Sequence, residues 1–266
     1  MSDEHLTHGW EPDLPASDSI LRAFVLSLVD RSHLLTESAH GRLDRSDDLA
    51  VADPASPVFF DNAAVLLQPP AYVNLDDVVE RTLAFYPADR HFVLMSAWPT
   101  PDLSGHGLEL MGHPPLMVRP AGGTAPPLPA GFEIRAVDDE QSLDEFVTVI
   151  TEAYPIPSAA GTALADPSIL GGAISLFVGH LDGRPVATSG VHVGRGLNDV
   201  EWVSTMPTCR GRGIGAAITW AATLTEPTLP AVLIASDLGQ PVYEAMGYMR
   251  IQRLTMWHRP PQAQPA

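Results

Sequence analysis

Residues 203–215 read Val-Ser-Thr-Met-Pro-Thr-Cys-Arg-Gly-Arg-Gly-Ile-Gly, and this stretch decides the fold of the second half of the chain. Its start is typical of a strand end, and the three alternating glycines predict a tight turn into a helix. The free backbone N–H groups around a helix start bind phosphate groups. Arg210 and Arg212 would add positive charge beside them. The stretch therefore predicts a phosphate-binding turn.

Two other glycine-rich phosphate sites do not fit this stretch. A P-loop requires Gly-Lys-Ser or Gly-Lys-Thr, and the chain contains no lysine. A dinucleotide fold requires Gly-x-Gly-x-x-Gly, whereas Gly211, Gly213 and Gly215 alternate. The phosphate-binding turn thus belongs to a different class of site.

The sequence around the turn predicts an α/β domain with a mixed sheet. The run Ala231–Ala235 is apolar on both faces, which indicates a parallel strand inside a covered sheet. Asp138 and Gln141 suggest a capping box for a helix whose buried face includes Leu143, Phe146, Val147, Ile150 and Ala153. The other predicted elements are the strands 132–137, 175–181, 185–193, 200–205 and 248–258, a helix over 213–224 and a short helix containing Tyr243.

The composition predicts two domains joined by a proline- and glycine-rich linker. The linker covers about residues 119–131, so the domains are expected at 1–125 and 126–266. In the first, Asp18 would cap a helix and 58–67 would form a strand.

The first half repeats part of the order of the second. Four correspondences carry the repeat. They are Pro69 with Pro207, the helix 75–84 with the helix after Gly213, the strand 92–95 with 231–234, and the segment 109–112 with 244–247. Coincidence between two short α/β patterns is the alternative. No glycine-rich turn follows Pro69, and Leu108 stands where the second copy has Tyr243. The first copy is therefore expected to be degenerate.

Two motifs of the second half resemble those of the GNAT superfamily of N-acetyltransferases. The first is Arg-x-x-Gly-x-Gly after a strand ending in Val-x-Thr-x-Pro; the second contains Ala235-Ser236, Gly239, Val242-Tyr243-Glu244 and Gly247-Tyr248. The resemblance covers residues 132–259 and implies the GNAT acyl-CoA N-acyltransferase fold, here as two GNAT-like domains in tandem. It implies an α/β (α+β) mixed sheet whose central parallel strands splay apart to admit acetyl-CoA.

The resemblance also implies which residues hold acetyl-CoA. The backbone of Val203, Ser204 and Thr205 would pair with the pantetheine arm. The pyrophosphate would lie on the turn formed by Arg210, Gly211, Arg212, Gly213, Ile214, Gly215 and Ala216. Ser236 stands where the family commonly has Asn, so its side-chain contact is open. Cys209 is interpreted as a turn residue.

Acetyl transfer to an amine needs a base for the amine and an acid for the departing thiolate. Tyr243 occupies the family position of the general acid, with packing against the cofactor arm as the alternative. Glu201 is the candidate base, acting through water, because strand alternation would place it on the face of Val203 and Thr205. Asp199 on the same face and His192 on the preceding strand are the other candidates.

Charge and composition limit the partners and the compartment. The net charge of −17 and pI near 4.7 exclude nucleic acid and are compatible with a cationic amine acceptor. A single cysteine, no signal-peptide pattern and no long apolar run favour a cytoplasmic protein without a membrane span. No His or Cys spacing indicates a metal. A homodimer remains open.

The sequence favours an acetyl-CoA-dependent N-acetyltransferase that acts on a primary amine of a small molecule or peptide. The segment from Tyr154 to Gly172 is expected to shape the acceptor pocket. Two alternatives stay open: a non-catalytic acyl-CoA-binding regulatory protein, and an acyltransferase that uses a longer acyl-CoA.

Overall fold

The structure is a computed structural model and describes residues 19–154 and 162–260. The first half contains α1 (Ile20–Ser38), β1 (Arg42–Arg45), β2 (Leu49–Asp53), β3 (Ala63–Leu66), α2 (Leu75–Phe85), β4 (Val93–Ser96), β5 (Glu109–Gly112) and β6 (Pro115–Arg119). The second half contains β7 (Phe132–Ala136), α3 (Glu140–Ala153), β8 (Ile174–Leu181), β9 (Arg184–Gly194), β10 (Leu197–Thr205), α4 (Ile214–Thr223), β11 (Ala231–Ile234), α5 (Gln240–Ala245), β12 (Met249–Arg253) and β13 (Thr255–His258).

These strands form two mixed sheets that exchange one strand each. The first sheet has the order β1-β2-β3-β4-β13-β5, and the second has the order β12-β6-β11-β10-β9-β8-β7. Strand β6 lies in the first half of the sequence but pairs with β11 and β12. Strand β13, near the end of the chain, pairs with β4 and β5. Division of the chain between residues 125 and 126 would therefore take one strand from each sheet.

The order of elements repeats between the halves, as the sequence predicts. The elements from α1 to β6 correspond in order to those from α3 to β13, and β7, which lies between the two series, has no counterpart. Strands β6 and β13 occupy equivalent places in the opposite sheets. The 3₁₀ turn Ser104–His106 takes the place of α5. The match of 109–112 with 244–247 is wrong at the level of structure, because 109–112 is strand β5 whereas 244–247 ends a helix. Strand β5 corresponds instead to β12.

Several predicted boundaries shift. The expected strand 248–258 divides at Leu254, and its two parts join different sheets. Residues 58–62 form turns, so the expected strand 58–67 shortens to β3. The linker begins after Arg119, which is the last residue of β6.

The predicted helix caps move by one residue. Helix α1 is capped by Ser19, whose hydroxyl accepts from Arg22 N, and Asp18 lies outside the described residues. For α3 the capping box is Asp139 with Ser142 instead of Asp138 with Gln141. The amide of Val137 still donates to Leu176 at 2.9 Å, so sheet pairing extends past β7 and the helix starts one residue later.

Helix α1 packs against both sheets. Phe24, Val25 and Leu28 lie in one apolar cluster with residues of both sheets, including Val93 of β4 and Val232 of β11. Each such side chain stabilises the fold by roughly 1.5–3 kcal/mol through burial. The two sheets therefore share a core.

Candidate acyl-CoA site

The central parallel strands of the second sheet separate after two residue pairs. Strand β10 pairs with β11 at Asn198–Ala231 and Asp199–Val232, and it continues to Thr205 without a strand partner on that side among the residues that the structure describes. In the first sheet, β3 and β4 pair at three positions along strands of four residues. Among the described residues, the central parallel strands of the first sheet therefore show no comparable gap, whereas β10 offers an open edge that could accept an extended ligand.

A β-bulge interrupts β10 beside this open edge. Glu201 lies opposite Gly190 and Ser204 lies opposite Thr188, so β10 contains one extra residue, and Trp202 takes a positive φ of 51°. The expectation that Glu201 shares a face with Val203 and Thr205 is wrong for this reason. Directly opposed residues point to the same side, so Glu201 shares its face with Ser204.

The predicted phosphate turn has the expected backbone. Gly211 and Gly213 have φ of 74° and 76°, and Gly213 precedes α4. The first amide of the helix with a backbone acceptor is Ala217, which donates to Gly213 at 3.0 Å. Within the described parts of the chain, the amides of 211–216 have no protein acceptor. A Cβ on Gly215 would lie 3.3 Å from the Thr205 hydroxyl, so glycine lets the helix start approach β10 closely.

The two arginines of the turn differ in their contacts. Arg210 donates to the carbonyls of Thr205 at 3.0 Å and Ala153 at 3.2 Å. It therefore ties the ends of β10 and α3 to the turn in this structure, instead of extending its charge over the amides. Arg212 is exposed on the turn.

Helix α5 places Tyr243 at the other side of the gap, after β11. The Tyr243 ring is buried, and a Cβ on Gly239 would approach it to 2.8 Å, so glycine at 239 makes room for the ring. The Tyr243 hydroxyl has no hydrogen-bond partner among residues 19–154 and 162–260. Burial is the main cause that raises the pKa of Tyr243. Electrostatic interactions with Tyr154, Tyr248 and Glu201 raise it further, so the hydroxyl keeps its proton. The Ser236 hydroxyl accepts from the amide of Gly239, the N-cap residue of this helix, at 3.2 Å.

Tyr154 touches the open edge of β10. Its hydroxyl donates to the carbonyl of Val203 at 2.7 Å. That carbonyl belongs to the segment expected to pair with the pantetheine arm. Tyr154 is the C-cap of α3 and is about 43% exposed, and Pro155 to Gly161 lie outside the described residues.

Residues 162–170, part of the segment expected to shape the acceptor pocket, are anchored to the first half through Asp61. The Asp61 carboxylate is buried and accepts from the Thr162 hydroxyl and from Ala163 N, both at 3.1 Å. Ser56 donates to the same oxygen at 2.7 Å. Residues 162–170, which the sequence assigns to the acceptor pocket, are thus held by the first half.

The three candidate bases converge on one buried ionic network. Arg31 of α1 contacts Asp199, and its Nη1 lies 2.9 Å from Glu201 Oε1. Ser27 donates to Asp199 at 3.2 Å and lies 2.9 Å from His192 Nδ1. Glu201, Asp199 and His192 are therefore alternatives within a single cluster that the first half completes.

Burial sets the charge states in this network. It raises the pKa of Glu201 to about 7, with repulsion from Asp199 adding to the effect and Arg31 opposing it. It lowers the pKa of His192, so the ring is neutral near pH 7. Asp199 is fully buried and keeps Arg31 and Ser27 as partners. Glu201 is thus the carboxylate whose proton is exchangeable near neutral pH.

Sequence patterns alone do not single out three residues of this site, Arg31, Ser27 and Asp61. The available signal for two of them is local: Ser27 and Arg31 lie at i and i+4 within the apolar face of α1 that contains Phe24 and Leu28. A polar pair in such a face indicates a buried partner, but its identity depends on a strand more than 160 residues away.

Two features are absent from residues 19–154 and 162–260. No group of three or more His, Cys, Asp or Glu side chains is arranged to hold a metal ion there. No helix in the same ranges is long and apolar enough to cross a membrane.

Comparison with solved structures places the fold. A GCN5-related N-acetyltransferase from Kribbella flavida matches with a TM-score of 0.63 and 22% identity, over 87% of this chain and 95% of that one. A putative GNAT-family acetyltransferase from Novosphingobium aromaticivorans matches with a TM-score of 0.55 and 20% identity, over 80% and 88%. No protein-family model matches the chain, and no curated protein does. At these identities the likeness establishes the fold, and it extends over both halves.

Proposed function

From the premise that this chain has the GNAT fold, we propose that it is an N-acetyltransferase that moves an acetyl group from acetyl-CoA directly to a primary amine. The observation that carries the proposal is the open edge of β10 next to the unpaired amides of 211–216. The first sheet lacks this opening, so the second half is the catalytic copy.

The features of the site fit the parts of acetyl-CoA. The free carbonyl and amide groups of β10 beyond Asp199 match an extended amide-containing arm. The amides of 211–216 and the start of α4 match a pyrophosphate. For the arm to pair at Val203, the Tyr154 hydroxyl must leave that carbonyl.

The reaction requires two proton transfers, and the site has one group for each. Glu201 accepts the amine proton through water, since its raised pKa makes it a base matched to neutral pH. The amine nitrogen attacks the thioester carbonyl, the carbon–sulfur bond breaks, and the Tyr243 hydroxyl protonates the thiolate. Tyr243 is a buried residue whose hydroxyl has no hydrogen-bond partner among the described residues, so its proton is available for this role.

The binding part of the proposal is tested by Gly213→Asp. This change places a carboxylate beside the free amides at a residue with φ of 76°, and we expect it to abolish acetyl-CoA binding by calorimetry. Gly183→Asp is the matched control, because Gly183 has φ of 78° in the turn between β8 and β9. Equal affinity of the two variants would contradict the assignment of the turn.

The catalytic part is tested by release of free coenzyme A with a panel of amines. Amine-dependent release by the wild-type chain supports the proposal. Binding without release from any acyl-CoA would favour the regulatory binder, and faster release from longer acyl-CoA substrates would identify a different acyl donor.

A further inference from the structure

Helix α1 of the first half contributes a charge to the catalytic half. Arg31 is 7% exposed and lies between two carboxylates of β10, in contact with Asp199 and 2.9 Å from Glu201. Its guanidinium also lies over the Trp202 ring, 5.8 Å from the ring centroid. The arginine is therefore held from three directions at the β-bulge.

The two carboxylates share Arg31 unequally. Asp199 has Ser27 as a second donor, and its side chain is fully buried. Glu201 has Arg31 as its ion-pair partner, and its side chain is 21% exposed. One cation cannot fully neutralise a fully buried and a largely buried carboxylate, so the second is balanced by a proton. Glu201 is the carboxylate that gains it.

The other polar groups around Glu201 carry no positive charge that could replace Arg31. Tyr154 after α3 and Tyr243 on α5 are hydroxyls with raised pKa values. His192 on β9 is neutral and bonds to Ser27. Arg210 is bound to the carbonyls of Thr205 and Ala153.

We infer that Arg31 is a positioning residue for acetyl transfer: the first half holds the catalytic carboxylate Glu201 in place and controls its charge. The inference rests on the proposed function. A side chain of the first half, Arg31, thereby takes a direct part in the chemistry of the second half. Without Arg31, Glu201 would face Asp199 with no counter-ion, and the carboxylate would hold its proton to higher pH.

The test is the variant Arg31→Met with two readouts. The first is the titration of the Glu201 side-chain carboxyl carbon by NMR in glutamate-labelled protein, with the resonance assigned from Glu201→Gln. We expect the midpoint to rise by at least one pH unit. The second is the pH profile of kcat/KM, whose acidic limb should shift upward equally, with a loss of about fivefold or more at pH 7 that higher pH restores.

Asp30→Asn is the matched control. Asp30 also lies on α1 and pairs with Arg195 of the second half at 2.6 and 2.9 Å, and it is not among the charges that shift the pKa of Glu201. This variant should leave both readouts unchanged. If Arg31→Met does not fold, Arg31→Lys takes its place, and we expect a smaller upward shift because the shorter side chain reaches the two carboxylates less well.

The outcomes separate this inference from the proposed function. An unshifted Glu201 midpoint in a folded Arg31 variant overturns the inference, whatever the activity. A uniform loss of rate at all pH values, with no shift of the limb, also overturns it. A shifted midpoint in a chain that transfers no acetyl group would support the control of Glu201 by Arg31 and reject the proposed function.

Discussion

Tyr243 and Tyr248 are two buried tyrosines whose hydroxyls have different surroundings. Tyr248 bonds to Thr223 at 2.7 Å, whereas the Tyr243 hydroxyl has no partner in the described parts of the chain. Their ring centroids are 6.0 Å apart. Substitution of each tyrosine by phenylalanine therefore separates the role of a hydroxyl in catalysis from its contribution to packing.

We expect Tyr243→Phe to lower kcat by on the order of 10²-fold without weakening acetyl-CoA binding, because a proton donor is removed but the ring is kept. Steady-state kinetics and calorimetry measure the two effects. Tyr248→Phe should instead keep kcat and lose about 1 kcal/mol of stability with the bond to Thr223. A wild-type rate in Tyr243→Phe would exclude the acid role.

The raised pKa of Glu201 also predicts how stability depends on pH. The folded state holds a proton up to about pH 7, whereas the unfolded carboxyl releases it near 4.5. The folded state thus binds more protons between these values, and the free energy of unfolding falls as pH rises through this window. In Glu201→Gln, the fall in the free energy of unfolding between pH 5 and pH 8 should be smaller than in the wild type by on the order of 2 kcal/mol. Urea unfolding at the two pH values measures it.

Glu152→Gln is the control, since Glu152 is an exposed carboxylate on α3. Its pH dependence should match that of the wild type. The same slope in Glu201→Gln and in the wild type would show that the carboxyl is not protonated in the folded state near neutral pH.

At the scale of elements, the end of α3 and the open edge of β10 compete for one hydrogen bond. The Tyr154 hydroxyl occupies the Val203 carbonyl that the proposed ligand needs. We expect Tyr154→Phe to tighten acetyl-CoA binding by up to about fivefold, because about 1 kcal/mol for displacement of that bond is no longer required. Calorimetry measures the change, and a weaker affinity would mean that the Tyr154 hydroxyl itself contacts the ligand.

The elements that the sequence predicts well are those with strong local patterns. Helix α3 follows from the spacing of Leu143, Phe146 and Ile150, and all three are buried. Helix α4 and the parallel strand β11 follow from the glycine turn and an apolar run. Local periodicity is sufficient here because each element has one face toward a nearby sheet.

The features that the sequence does not predict depend on distant partners or on backbone detail. Strands β1 and β2 form a hairpin, but the β1 sequence Arg-Leu-Asp-Arg shows little apolar alternation. The bulge at Trp202 has no local signal, although it changes which side chains share the face of Glu201. The division of 248–258 between two sheets is set by pairing with β4 and β6, which alternation within the segment cannot reveal.

At the scale of the whole molecule, the exchanged strands couple the two sheets. Removal of β6 would separate β11 from β12, and removal of β13 would separate β4 from β5. We therefore expect one cooperative unfolding transition, with the amides of β3 and β10 exchanging with the same free energy in denaturant-dependent hydrogen exchange.

Separate expression of 1–125 and 126–266 checks the same coupling. Each product lacks a strand from the interior of its sheet, so neither should show a cooperative thermal transition. The full-length chain, prepared in parallel, is the reference. Independent folding of either product, or earlier exchange of β3 in the full chain, would contradict a shared folding unit.

The strand exchange also bears on the evolutionary history of the chain. A duplicated copy that has lost its own site is ordinarily free to disappear by truncation of the gene. Here such a truncation would also delete β6 from between β11 and β12, and it would leave β13 without the sheet in which it pairs. Under the proposed function, the first half can diverge between β3 and β4 without loss of activity, but selection on the second half keeps β6 in the gene.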